Sequence, residues 1–143
     1  MYWLFAPVAL FATVTLGLVF MSWRRAAVGL ADGRLKPCPD SPNCVCSQSH
    51  DAEHALQPFA WSGDAEATWT RLRSVVNARP DATIVTDSAD YMHAEFTTSL
   101  LRFVDDVEFL LDRPAGVIHV RSASRVGRSD LGANRRRIEE WRA

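Results

Sequence analysis

Two stretches of alternating apolar and polar residues, joined by a short turn, restrict the fold of this chain most. "RFVDDVEFLLD" covers residues 102–112, "GVIHVRSASRV" covers residues 116–126, and the turn-forming "RPAG" links them. Successive side chains of a strand point to opposite faces, and a Pro and Gly in a short linker favour a tight turn. The pattern predicts a β-hairpin in which Asp112 lies opposite Val117.

This register assigns each side chain of the hairpin to one of two faces. The predicted core face is apolar and consists of Phe103, Val107, Phe109, Leu111, Ile118 and Val120. The other face carries Asp106, Glu108, His119, Arg121 and Arg125. We expect this second face to meet solvent, where cross-strand ion pairs contribute ~0.2–1 kcal/mol each. Such pairs absorb much of the apparent basic patch of the C-terminal third, so no nucleic-acid binding is predicted.

One carboxylate interrupts the predicted core face. Asp105 is in line with Phe103 and Val107, and the register places it opposite Ser124 and beside Ser122. A buried carboxylate costs several kcal/mol unless it is paired or hydrogen-bonded. The pattern therefore predicts polar partners for Asp105 inside the core.

The last predicted helix offers one such partner. Its apolar stripe contains Leu131, Ile138 and Trp141, and Asn134 is the polar member of the same stripe. We expect a polar network at one end of the core, made of Asp105, Ser122, Ser124 and Asn134, with charge supplied by Arg125, Arg128 or Arg135. Two interpretations remain: a pocket that binds a ligand or holds a general base, and, favoured here, a buried network that locks the helix onto the sheet.

The remaining patterns complete an α+β domain. A helix capped by Ser62 or Asp64 runs to about Arg79, the strands "ATIVT" and "YMHAEFTT" follow, and a helix capped by Ser129 or Asp130 runs through Trp141. The order αββββα predicts a four-stranded antiparallel meander sheet flanked by two helices.

The N-terminal residues predict a membrane anchor. Residues 2–23 contain no charged side chain, and a helix of this length spans the ~30 Å hydrocarbon core of a bilayer. The sequence thus divides into a transmembrane helix over residues 1–24, a linker and Cys/Pro-rich loop over 25–60, and the α+β domain over 61–143. We expect a single-pass protein of a plasma membrane, in contact with the bilayer through residues 2–23.

The side of the membrane is left open by two opposing signals. Arg24, Arg25, Arg34 and Lys36 follow the apolar segment and favour a cytoplasmic domain by the positive-inside rule. Paired cysteines in a small domain favour an oxidising compartment instead.

The run "PCPDSPNCVCSQ" contains all three cysteines of the chain, Cys38, Cys44 and Cys46. A zinc site would need His50 and His54 to complete its ligands, and a dithiol redox centre usually has a C-x2-C spacing at a helix N-terminus, which this run lacks. A disulfide staple is favoured over both. No metal or other cofactor is predicted.

Three segments resemble the signature segments of the domain of unknown function 1499 family. They are "LKPCPDSPNCVCSQ", "RFVDDVEFLLD" and "VRSASRVGRSDLGANRRRIEEWR", in this order, and the resemblance covers Leu35 to Arg142. At the matching positions of this chain, the resemblance implies a disulfide between Cys38 and Cys44, with Cys46 as an additional cysteine. The other signature positions of the family correspond here to Asp105, Asp106, Arg121, Arg125, Gly127, Asp130, Gly132, Asn134 and Arg135.

The resemblance also carries expectations about location. The family resembles a set of small bacterial and plastid proteins that often carry a membrane anchor, a lipoprotein signal or a lumen-targeting segment, and it has no established activity. With the apolar segment taken as an anchor, we expect the bacterial inner membrane. The cysteine loop and the lumenal and periplasmic members of the family narrowly outweigh the four basic residues, which gives a slight preference for the periplasmic side.

The expected function is binding. No nucleophile with a base, no phosphate loop and no metal triad is recognisable, so no catalytic residue is assigned. We expect a membrane-tethered, non-enzymatic module that binds a protein partner or a small ligand through the region of Asp105 and Asn134, with Ser122, Ser124, Arg121, Arg125, Asp130 and Arg135 around it. The alternative is an enzyme that uses Asp105 as general acid or base.

Overall fold

A six-stranded antiparallel sheet organises the part of the chain that the computed structural model describes, residues 6–24 and 27–142. The elements in chain order are α1 (Ala6–Ser22), β1 (Leu30–Ala31), β2 (Arg34–Leu35), β3 (Cys44–Cys46), β4 (Phe59–Ala60), α2 (Ala65–Asn77), β5 (Ala82–Asp87), β6 (Tyr91–Thr97), β7 (Val104–Asp112), β8 (Val117–Ser124) and α3 (Ala133–Glu140). The sheet has the order β3-β8-β7-β6-β5, and β4 also pairs with β8. Strands β1 and β2 form a separate two-stranded sheet.

The predicted hairpin is confirmed residue by residue. In the β7–β8 pair Asp112 lies opposite Val117, Glu108 opposite Arg121 and Asp105 opposite Ser124. The meander from β5 to β8 also has the predicted order. The turn and the alternation together fix this register, because a slip of one residue would move every apolar side chain to the other face.

The prediction of a four-stranded sheet is wrong, because two short strands lie within the segment predicted as loop. Strand β3 pairs with one half of β8, where Cys44 lies opposite Ala123, and β4 pairs with the other half, where Phe59 lies opposite Ile118. The hairpin leaves the outer edge of β8 open, and the two strands satisfy backbone groups along that edge. Strands of two or three residues are too short to produce a recognisable period.

The prediction of a transmembrane helix, and with it of a single-pass inner-membrane location, is also wrong. Helix α1 has 17 residues, which at ~1.5 Å per residue gives about 26 Å, less than the ~30 Å of a hydrocarbon core. Within residues 6–24 and 27–142, no helix combines the length and the apolar character needed to cross a membrane. Residues 2–5 of the predicted span lie outside the described residues.

Helices α2 and α3 cover the predicted core face. Asp64 caps α2 by accepting a hydrogen bond from the Ala67 amide at 2.7 Å, as the sequence indicates. Trp69 of α2 and Ile138 of α3 are buried in the core cluster, and the Trp141 ring stacks on Phe109 at a centroid distance of 5.7 Å.

The second face of the sheet is covered as well, which contradicts the expected solvent exposure. Asp106, Glu108 and Arg121 retain only 1%, 0% and 7% of their accessible surface. The cover is formed by the C-terminal end of α1 and the chain that follows it. We call residues 22–24 and 27–38 the N-terminal strap.

The cysteines form the staple that the resemblance implies. Cys38 at the end of the strap is bonded to Cys44 of β3, and Cys46 is free and buried. The pairing of Cys38 with Cys44 is thus confirmed.

We predict that replacing both Cys38 and Cys44 with Ser lowers the free energy of unfolding by about 2 kcal/mol, because the bond closes a short loop in the unfolded chain. Denaturant melts with and without dithiothreitol measure this loss. The reductant should destabilise the native protein and leave the double variant unchanged. A native protein that is insensitive to reductant would contradict the prediction.

Candidate functional site

Two polar clusters lie on opposite faces of the β7–β8 hairpin. The Asn134 cluster lies on the core face and consists of Asp105, Ser122, Ser124, Asn134 and Arg137. The second-face cluster lies beneath the strap and consists of Tyr91, His93, Glu95, Asp106, Glu108, Arg121 and Arg125.

Asn134 uses its whole side chain within the protein. Its Oδ1 accepts hydrogen bonds from Ser122 Oγ at 2.5 Å and Arg137 Nη1 at 2.8 Å. Its Nδ2 donates to Ser124 Oγ and to the Asn43 carbonyl, both at 3.0 Å. All four hydrogen-bonding positions of an amide side chain are therefore occupied, and Asn134 ties α3 to β8 and to the residue before β3.

Asp105 is buried and accepts a hydrogen bond from Arg137 Nη2 at 2.6 Å. Arg137 was not among the predicted partners of Asp105. The signal was its position three residues after Asn134, which puts both side chains on the same face of α3. Asp105 also borders a small cleft of about 290 Å³, together with Ser124 and Asp130.

The other residues predicted for this network lie elsewhere. Asp130 accepts hydrogen bonds from the Asn134 amide at 2.7 Å and the Gly132 amide at 3.0 Å, and so satisfies backbone amides at the start of α3, whose N-cap residue is Gly132. Arg135 donates to the carbonyls of Ala55 and Glu53. Arg121 and Arg125 belong to the second-face cluster.

Asp106 and Arg125 form the centre of the second-face cluster. The guanidinium donates through Nε to Oδ2 at 2.8 Å and through Nη2 to Oδ1 at 2.7 Å. His93 Nε2 lies 2.7 Å from the same Oδ1, and Arg125 also pairs with Glu95. Arg125 Nη1 reaches the Ser22 carbonyl at 3.1 Å, where a cation is favourable because helix α1 ends there.

Glu108 is the second centre. It is fully buried and accepts three hydrogen bonds, from Arg121 Nη1 at 2.8 Å, from Tyr91 Oη at 2.8 Å and from the Gly29 amide of the strap at 2.7 Å. Two strands and the strap therefore meet at one carboxylate.

The surroundings shift the pKa values of three side chains of this cluster, Asp106, Tyr91 and Arg125. Burial raises the pKa of Asp106, but hydrogen bonds from Arg125 and then His93 outweigh it, so the pKa lies below the usual aspartate value. Burial, and then the negative charge of Glu108, raise the pKa of Tyr91, so its hydroxyl stays a donor. The hydrogen bond with Asp106 raises the pKa of Arg125, so its charge is permanent.

An open cleft of about 670 Å³ lies between the strap and the second face of the sheet. Its charged lining consists of Arg24, Lys36, Arg121, Arg125 and Asp106. The rest is mostly apolar, with Met21, Ala27, Ala31, Pro37, Pro39 and Ala123, together with Cys38 and Ser124. Of the residues predicted for a binding site, Arg121, Ser124 and Arg125 reach this cleft, whereas Asn134 does not.

One group of side chains in the described ranges could hold a metal ion. The ligand atoms of Asp51, Glu53 and His54 lie within 4.8 Å of one another, but both carboxylates are exposed, and His54 Nδ1 is 2.9 Å from the Cys44 carbonyl. Exposed acidic groups are common without a metal, so we assign no metal site.

Comparison with known families identifies the chain. Residues 34–143 match the profile of the family described as "Protein of unknown function (DUF1499)". The chain belongs to the DUF1499 family. The resemblance drawn from the three segments is thereby confirmed. No curated protein and no solved structure matches the chain.

The family match covers the whole six-stranded sheet and begins at Arg34, the first residue of β2. Helix α1 and strap residues before Arg34 lie outside the match. The DUF1499 domain therefore supplies the charged floor of the cleft, and the preceding segment supplies part of the opposite wall.

We predict that Asp106→Asn lowers the free energy of unfolding at pH 7 by ~1.5–3 kcal/mol, because Arg125 and His93 lose a charged acceptor. The pKa of Asp106 is depressed by folding, so its contribution is complete above the ordinary aspartate value of ~3.9 and is lost as the pH falls below it. Denaturant melts from pH 7 to pH 2 should show the two proteins converging in acid. Asp40→Asn, at an exposed position, is the control. A loss at pH 7 no larger than that of the control would contradict the burial of this pair.

We predict that Asn134→Ala lowers the free energy of unfolding by about 3 kcal/mol, since Ser122, Ser124 and Arg137 lose their common partner in the core. Glu140→Ala, at an exposed position of the same helix, should change stability by less than ~0.5 kcal/mol. Equal losses in the two variants would show that α3 is held without the Asn134 cluster.

Proposed function

We propose that this DUF1499 domain is a small-molecule-binding module and that the cleft between the N-terminal strap and the sheet is its site. The observation that carries the proposal is the cleft itself. Its volume of about 670 Å³ lies within the ~300–1,000 Å³ usual for small-molecule sites, and it combines an apolar lining with a few convergent polar groups.

The polar floor of the cleft supports binding because its side chains are already held in place. Arg125 is fixed by Asp106 and by the Ser22 carbonyl, and Arg121 is fixed by Glu108. A ligand that meets such groups does not have to order them, so less affinity is lost to side-chain entropy.

The opposite wall is stiff as well. Cys38 is tied to Cys44, and Pro37 and Pro39 flank it, so this stretch has few alternative conformations. The cleft is thus bounded on two sides by parts of the chain with restricted motion.

The chemistry of the lining favours binding over catalysis. A general base needs an acceptor that is free to take a proton, but Asp106 already carries Arg125 and His93. The Ser124 hydroxyl is engaged by Asn134, and the only cysteine at the cleft, Cys38, is part of the disulfide. Asp105, the expected acid or base, lies on the other face of the sheet and is bound by Arg137.

The proposal moves the binding site from the region of Asp105 and Asn134 to the other face of the hairpin. The Asn134 cluster satisfies its own hydrogen bonds, which supports a structural role there. Arg121, Ser124 and Arg125, which were predicted as binding residues from the sequence, remain part of the proposed site.

A substitution that fills the cleft tests the proposal. Ala31→Trp puts a large side chain at the lining, and Ala115→Trp adds the same side chain at the exposed turn between β7 and β8. A library of small molecules of varied charge is screened by thermal shift, and each hit is measured by titration calorimetry. We expect hits that bind the native protein and Ala115→Trp equally and fail to bind Ala31→Trp. The proposal is wrong if no compound binds with a Kd below ~1 mM, or if all hits still bind Ala31→Trp.

A further inference from the structure

We infer that the cleft selects small organic anions, molecules in which a carboxylate or phosphate group is attached to an apolar body. The inference rests on the proposed function and adds the chemical class of the ligand to it. It is carried by the state of Arg121, by the sign of the charge around the cleft, and by the distribution of apolar residues along its walls.

Arg121 is a buried cation whose hydrogen bonds are largely unmade. It is 7% exposed, and of its donors only Nη1 has a partner within residues 6–24 and 27–142, namely Glu108. Its Nε is buried without any partner among those residues. A guanidinium has five N–H donors in a planar fork that matches the two oxygens of a carboxylate or phosphate. Because an unmade buried hydrogen bond is costly, an anionic acceptor in the cleft gains more from this side chain than it gains from an exposed arginine.

The net charge around the cleft is positive, like the charge of Arg121. Among residues 6–24 and 27–142, four basic side chains line it, whereas Asp106 is its one acidic side chain and is already paired with Arg125. Glu95 and Glu108 lie behind the lining and offset two further positive charges. These four positive and three negative side chains leave an excess of one positive charge, and Arg24 and Lys36 contribute to it from the strap. Such a site attracts anions and repels cations of the same size.

The apolar residues decide which anions fit. Met21, Ala27 and Ala31 from the strap side face Ala123 of β8 across the cleft, with Pro37 and Pro39 beside them. A bare inorganic ion would leave this surface in water, whereas a small apolar body covers it and gains ~25 cal/mol per Å² of buried apolar area. The ligand class is therefore an organic anion with its charged group toward Arg121 and its apolar body against the small side chains of the walls.

Four probes that share one benzene ring and differ in their head group test whether the ligand is an organic anion. They are phenyl phosphate, phenylacetate, the neutral phenylacetamide and the cationic phenethylamine. We expect one or both anions to bind, with the neutral and cationic probes at least ~10-fold weaker, which corresponds to the loss of one charged hydrogen bond. The ratio of the two anions identifies phosphate or carboxylate as the preferred group.

Variants locate the binding and keep the fold intact. Arg121→Lys retains the charge that pairs with Glu108 but removes the fork, and we expect the affinity for the better anion to fall ~10-fold. Lys36→Gln removes one charge from the strap and should weaken binding ~3- to 10-fold. Arg71→Gln, at an exposed position of α2 outside the cleft, changes the net charge by the same amount and should leave the affinity within twofold. Thermal melts of each variant without ligand verify folding.

The outcomes separate this inference from the proposed function. If phenylacetamide or phenethylamine, or neutral or cationic library hits, bind as tightly as the anions and lose binding in Ala31→Trp, the cleft is a binding site but the anion class is wrong. If the anions bind and are insensitive to both Arg121→Lys and Lys36→Gln, the class is also wrong. If no probe and no library compound binds, the proposed function and the inference fail together.

Discussion

The pairing of Arg125 with Asp106 is the interaction on which the arrangement of the second face depends. Through this one guanidinium the residue that follows β8 is held to Asp106 near the start of β7, to Glu95 of β6 and to the last turn of α1. A buried ion pair is favourable only when its remaining donors and acceptors are satisfied. Here His93 and the Ser22 carbonyl supply those partners, so the strap is needed for the stability of the pair and the pair is needed to hold the strap.

The two faces of the hairpin show two uses of buried polar groups. On the core face, every hydrogen-bonding position of the Asn134 side chain has a partner. We call such a network closed, and here it fixes the position of α3. On the second face Arg121 keeps donors without a partner among residues 6–24 and 27–142, beside an open cleft. A closed network specifies structure, whereas a network with spare donors next to open space is able to recognise something outside the protein.

The parts of this structure that follow from local sequence patterns were predictable. The parts that depend on segments far away in the sequence, which cover the second face of the sheet, were not. The register of β7 and β8 follows from a turn and a period of two, and the burial of Asp105 follows from that register. The burial of Glu108 does not, because it depends on Gly29, 79 residues earlier in the chain. Strands β1 to β4 have two or three residues each, too few for a periodic signal, so neither the extra strands nor the cover over the charged face could be deduced.

The contact between Ser22 and Arg125 links the position of α1 to the shape of the cleft. Helix α1 is apolar along its length, and side chains such as Phe11, Leu16 and Phe20 are exposed. Its last carbonyl meets the same guanidinium that lines the floor of the cleft. The end of α1 and the floor of the cleft therefore share one guanidinium, so the position of this helix end and the position of a cleft-lining side chain depend on each other.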